Sequence, residues 1–161
     1  MQSFHQINTR RPHPLLFCVL FLCIFLCAPI LSGCSSENRL KDGFYTAEMS
    51  EYSHGWKEYL CIMVKSGQIV YAEFNAKDPS GYIKAWDNAY MQNMSAVEGT
   101  YPNEYTRNYT AQLIASQSPD GVDAVSGASH SGSNFLKLSQ AVIDQAADGD
   151  PETVTVEAGG E

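Results

Sequence analysis

Hydrophobic residues occur along this chain in two patterns. Leu15–Leu31 is an unbroken apolar run with no charged or hydrogen-bonding side chain, preceded by Arg10 and Arg11 and followed by small residues. Basic, apolar and small segments in that order make a secretory signal peptide. Seventeen residues also lie at the short end of what spans a bilayer, where about 20 are usual, so a single-pass anchor is the competing reading. After residue 33 the apolar positions recur at intervals of two, three or four, as in a folded domain.

The intervals predict the elements. Asp42-Gly43 opens a strand over 44–49. The stretches 58–65 and 68–75, rich in Val, Ile and aromatics, flank Ser66-Gly67 and read as a hairpin. Asp78-Pro79-Ser80-Gly81 is a turn with Ser80 as a candidate helix cap. Ile83, Trp86, Tyr90, Met94 and Val97 fall on one face of a first helix, which Gly99-Thr100 breaks. Pro102 suits the first turn of a second helix carrying Tyr105, Tyr109 and Leu113 and stopping before Pro119-Asp120-Gly121. A third helix follows residue 131, with Phe135, Leu138, Val142 and Ala146 inward and Gly149 as terminator. Residues 153–157 form a last strand. The expectation is a single small α+β domain, an antiparallel sheet with helices packed on it.

The end of the apolar run changes the picture. Leu31-Ser32-Gly33-Cys34 resembles the bacterial lipobox, in which the Cys thiol becomes the diacylglycerol attachment point. The implied organisation is a cleaved lipoprotein signal peptide over 1–33, a lipidated tether over 34–41, the domain over 42–157 and a flexible tail over 158–161. Two or more acyl chains hold a protein on a membrane stably, at about 0.8 kcal/mol per buried methylene. Cys18, Cys23 and Cys27 leave with the leader, so Cys61 alone remains as a free thiol, expected as a small buried core residue. Ser35 after the lipidated Cys lacks the usual inner-membrane retention signal of diderm bacteria. The expected location is the extracytoplasmic face of the cell membrane, or the outer membrane in a diderm.

Charge narrows the function further. Removing residues 1–33 takes away two arginines and no acid, leaving 8 basic against 18 acidic residues, net −10. Such a domain has no basic stripe for phosphate backbones and is no nucleic-acid binder. The acidic group Asp144, Asp148, Asp150 and Glu152 reads as a solvated face, and His54 and His130, isolated in sequence, do not suggest a metal.

One segment, Val122–Gly132, stands apart. It is rich in Ser, Gly and Ala and leads into the third helix. Small residues let a ligand approach the backbone, and a helix N-terminus adds partial positive charge, a combination that binds phosphate. The plain alternative is a Ser/Gly loop with Ser131 or Ser133 as helix cap. Gly127–Gly132 has one residue too many for a nucleophile elbow, and no Gly-Lys-Ser/Thr occurs for a Walker loop.

Asp123-Ala124-Val125-Ser126-Gly127-Ala128-Ser129 resembles the flavinylation motif of the FMN-binding domain family, Asp-x-x-Ser/Thr-Gly-Ala-Thr/Ser. That family includes the flavin subunits of the sodium-translocating NADH:quinone oxidoreductase and of the Rnf complex, and exported lipoproteins. Asp42-Gly43-Phe44-Tyr45, His54-Gly55-Trp56-Lys57, Gly81–Asp87 and Tyr101–Tyr105 look like its lipoprotein branch, so the likeness runs from about Asp42 to Val156. The resemblance implies that an FMN transferase joins the FMN phosphate to the Ser129 hydroxyl. Family members usually carry Thr there; a serine hydroxyl forms the same ester. Gly127 and Ala128 would admit the phosphate to the backbone, Ser126 would donate to a phosphate oxygen, and Asp123 would be read by the transferase. The ring needs an apolar slot. Trp56, Trp86, Tyr90, Tyr101 and Tyr105 are candidates, though helical spacing also explains most of them as core.

The resulting expectation is an FMN-carrying lipoprotein that passes electrons between a membrane dehydrogenase or quinone-linked donor and an acceptor, a redox carrier rather than a stand-alone enzyme. Two readings compete with it. One is a sensor lipoprotein holding FMN or another phosphate ligand non-covalently, and the other is a surface adhesion or antigen lipoprotein.

Overall fold

Side chains that point in turn to a buried and to an outer face build the first two strands. In the computed structural model, which describes residues 39–158, β1 (Gly43–Met49), β2 (Lys57–Lys65) and β3 (Gln68–Lys77) form an antiparallel meander. The expected signal peptide over 1–33, Cys34, most of the expected tether and residues 159–161 lie outside the described residues. β2 and β3 are joined through Ser66 and Gly67, both at positive φ, the backbone that a two-residue hairpin turn requires. The Asp42 carboxylate accepts from the Gly67 N–H (3.0 Å), tying the start of β1 to that turn. The fourth strand, β4 (Val154–Val156), refines the expectation of an antiparallel sheet. It pairs parallel to β1, giving a mixed sheet of order β3-β2-β1-β4.

Three helices follow the meander: α1 (Asn88–Glu98), α2 (Pro102–Ser116) and α3 (Ser129–Asp148). α2 lies on β3 and α3 on β1 and β2, so both cover one face of the sheet. That face contributes Tyr45, Ala47, Met49, Leu60, Ile62, Val64, Ile69 and Phe74. The helices answer with Tyr105, Tyr109, Leu113, Phe135, Leu138, Val142 and Ala146. The expected inward positions of the second and third helices are all buried. At the centre, Phe135 stacks on Tyr109 (centroids 5.2 Å apart) and meets Phe74 edge-on (4.9 Å), pairings that add about 0.5–1.5 kcal/mol each to area burial. Pro102 occupies the first turn of α2, and Gly149 closes α3 in the left-handed region.

Four expectations change. The helix placed over 83–97 begins only at Asn88, capped by the Asp87 carboxylate, which accepts from the Tyr90 N–H (2.9 Å). Ser80 caps nothing; Asp78 gathers the Ser80 N–H, the Ser80 hydroxyl and the Tyr82 N–H into a local turn. Ile83 is extended and bridges Lys77, Trp86 ends a 3-10 turn, and no residue of α1 is buried. α3 starts three residues earlier than expected, with Ala128 rather than Ser131 or Ser133 at its cap. Cys61 is half-buried on the uncovered face of β2, because strand alternation gives the core face to its neighbours Leu60 and Ile62.

The uncovered face carries one ion-pair set. Glu48 accepts from Lys57 (2.7 Å) and Lys77 (2.9 Å). Hydrogen bonds from these two ammonium groups hold its carboxyl below the ordinary value. Its stabilising contribution is therefore complete above the unfolded value, about 4.3, and is lost as pH falls through the lower folded value. Glu48→Gln should flatten the acid limb of a stability-versus-pH curve measured by urea denaturation, leaving stability between pH 5 and 8 nearly flat as in the parent.

Candidate functional site

A cleft of about 670 Å³ opens between α1, the N-terminal end of α3 and the start of β2. Three separated segments meet there.

The first segment is the loop before α3. Ala128 N–H donates to the Val125 carbonyl (3.1 Å), closing a turn over 125–128 with Gly127 at φ +76°. The Tyr109 hydroxyl, rooted in the core, accepts from the Val125 N–H (3.1 Å) and donates to the Ala128 carbonyl (3.3 Å). Gly127 abuts the last turn of α1, and a Cβ there would collide with the Glu98 carbonyl oxygen. Close packing thus requires the glycine, beyond the ligand access expected of it.

The second is the first turn of α3. No side chain caps this helix, and the N–H groups of Ser129, His130 and Ser131 have no acceptor among the described residues. Ser129 and His130 are exposed on the cleft wall, whereas Ser131 points inward. Its hydroxyl donates to Glu58 (2.6 Å), whose second oxygen accepts from the Asn134 side chain (2.8 Å). Glu58, Ser131 and Asn134 are all buried. Hydrogen bonds to a charged group contribute about 1.5–3 kcal/mol each, so this carboxylate is a firm clamp on the helix end.

The third is the 3-10 turn Lys84–Trp86 with α1 behind it. Lys84 is nine-tenths buried, yet it lines the cleft and makes no ion pair with a carboxylate among the described residues. Its ammonium sits 4.7 Å from the centroid of the Tyr90 ring, a cation–π contact. Burial pulls the Lys84 ammonium down, but the Tyr105 and Tyr90 oxygens and Glu58 outweigh it and hold the pKa above its ordinary value. Burial pushes the neighbouring Tyr105 hydroxyl up. Tyr90 meets Trp56 edge-on (6.1 Å), and with Met94 and Val97 these rings form an apolar wall.

The structure therefore brings together Gly127, Ala128, Ser129, Trp56 and Tyr90 of the residues expected at a site. Others fall elsewhere. Asp123 is exposed beyond the cleft, its backbone tied to the Gln112 side chain, and Ser126 is exposed at the turn. Trp86 is 65% exposed against Tyr82, Tyr101 borders a separate shallow groove, and Tyr105 is sealed in the core. His54 and His130, distant in sequence, line the same cleft, although no group of three His, Cys, Asp or Glu side chains fit to hold a metal occurs among the described residues. Sequence reasoning missed Glu58, Lys84 and Asn134. For Glu58 a signal existed: its β2 register places it with Leu60, Ile62 and Val64 on the core face.

Comparison with known proteins places this geometry among relatives. A crystal structure of the CPE2226 protein from Clostridium perfringens is 36% identical, covers 74% of this chain and 98% of its own, and superposes with a TM-score of 0.71. The chain belongs to the family of that clostridial protein. A second relative, the 15 kDa lipoprotein of Treponema pallidum (strain Nichols), is 28% identical over 130 residues, 80% of this chain and 92% of its own. No family model matches the chain. Among the described residues no helix is long and apolar enough to cross a membrane.

Two glycines flank the cleft at positive φ with different surroundings. Gly99 has open space where a Cβ would stand, and Gly127 has the Glu98 backbone. Gly99→Ala should cost about 1 kcal/mol for the backbone conformation alone, and Gly127→Ala distinctly more. Urea denaturation of the two variants side by side checks the order.

Proposed function

We propose that this protein is an exported, lipid-anchored carrier of FMN, with the flavin phosphate esterified to Ser129 and the cleft as its flavin site. The observation that carries the reading is the arrangement at the head of α3. An exposed Ser129 hydroxyl stands beside three open N–H groups, on a cleft that also holds the buried Lys84 ammonium. An uncapped helix N-terminus favours an anion by about 0.3–1 kcal/mol or more. The cleft volume lies within the range of about 300–1,000 Å³ that small-molecule sites occupy, and the wall of Trp56, Tyr90, Met94 and Val97 suits a flat apolar ring. The residues present thus fit the group that the flavinylation-like motif implies.

Bound there, FMN supplies the redox chemistry. The chain's own residues do the rest. The Ser129, His130 and Ser131 N–H groups neutralise phosphate charge, Glu58 fixes the helix end that presents them, and the apolar wall excludes water. Lipid anchoring is supported by the leader, by the lipobox-like Leu31-Ser32-Gly33-Cys34 and by the name of the treponemal relative. Tethered in this way, the domain would carry electrons between a membrane dehydrogenase and an acceptor, and its acidic surface would favour basic partner patches.

Co-expression with an FMN transferase, followed by intact mass and a visible spectrum, tests the proposal. The expected result is a mass gain of FMN minus water that survives denaturation and is abolished in Ser129→Ala. Flavin colour released on denaturation would replace the ester with non-covalent binding, and absence of flavin under any condition overturns the reading.

A further inference from the structure

Lys84 is buried to nine-tenths with no carboxylate ion-pair partner among the described residues, and the Tyr90 ring and the oxygens of Tyr105, Tyr90 and Glu58 stand in for the water its charge has left. Most buried polar groups here are satisfied within the fold: Glu58 by Ser131 and Asn134, Thr106 by the Pro102 carbonyl, Asn134 by Glu58. Lys84 instead rests on the Tyr90 ring and faces the cleft. Tyr90 is the ring that meets Trp56, so the ammonium lies at the aromatic wall of the cleft.

We propose that Lys84 is the positioning residue that sets the flavin's reduction potential, by meeting the negative charge the ring acquires when it is reduced. The inference rests on the FMN reading above. Two electrons from a membrane dehydrogenase and one proton from solvent leave the ring with one negative charge, and a fixed cation in a poorly solvated site stabilises that form over the neutral oxidised one. The open N–H groups of α3 already serve the phosphate, which leaves the ammonium for the ring.

Two measurements on FMN-loaded protein decide it. Sulfite adds to oxidised flavin and places a negative charge on the ring, bleaching its visible band, so its affinity reports the cation without electron transfer. The parent protein should bind sulfite at least tenfold more tightly than free FMN does. Lys84→Met should lose that factor, while Lys84→Arg should keep most of it. The same Lys84→Met change should shift the reduction equilibrium at least tenfold toward the oxidised form, about 30 mV for a two-electron couple. Parent sulfite affinity equal to that of free FMN overturns the inference and needs no variant to fold. So does a loaded Lys84→Met protein with unchanged affinity and potential. A parent that takes up no FMN defeats the underlying reading instead, and the mass spectrum separates the two failures.

Discussion

One buried carboxylate joins the sheet to the helix that carries the site. Glu58 stands on the core face of β2 at the point where the apolar rows end, and it takes up Ser131 and Asn134 from the first turns of α3. A carboxylate in that position is tolerable only because both oxygens are occupied. The same bonds fix how far α3 extends toward the cleft and which way its first turn faces. Tyr109 performs the matching task from the other side, since its ring is packed against Phe135 while its hydroxyl holds the loop ahead of α3. The open N–H groups at the cleft are therefore held by the core, although they lie at its edge.

Much of the fold was legible because its elements obey a single period. β1 and β2 alternate cleanly, and the stripe Phe135, Leu138, Val142 and Ala146 is buried throughout. The parallel pairing of β4 was not legible, because three residues carry no directional signal. α1 misled for a physical reason. Tyr90, Met94 and Val97 repeat at helical spacing as a core stripe would, but here the stripe faces a cleft, and periodicity reports only that a face is apolar. Upstream of Asn88 the same spacing extends across an extended residue and a 3-10 turn, where it means nothing.

The site was legible only where it is local. The Gly127–Ser129 segment is contiguous and lines the cleft, whereas Asp123 and Ser126 of the same motif turn away from it. Glu58, Lys84 and Asn134 are separated by dozens of residues, and only the register of β2, the turn after β3 and the phase of α3 bring them to one place. Lys84 gave no sign in sequence, since a lysine between Ile83 and Ala85 reads as an ordinary surface residue.

α1 has a thermodynamic consequence of its own. The helix is well capped at both ends, by Asp87 and by the left-handed Gly99, yet it buries no residue of its own. Most helical stability in proteins comes from packing an apolar face, so this wall sits at the low end of the molecule's local stabilities. Whatever covers Tyr90, Met94 and Val97 gives α1 the burial that the protein withholds from it. Occupancy of the cleft and order in α1 are then linked quantities: a ligand is bound more weakly by the free energy of holding this helix still, and the helix is held more firmly by the same amount once the ligand is in place.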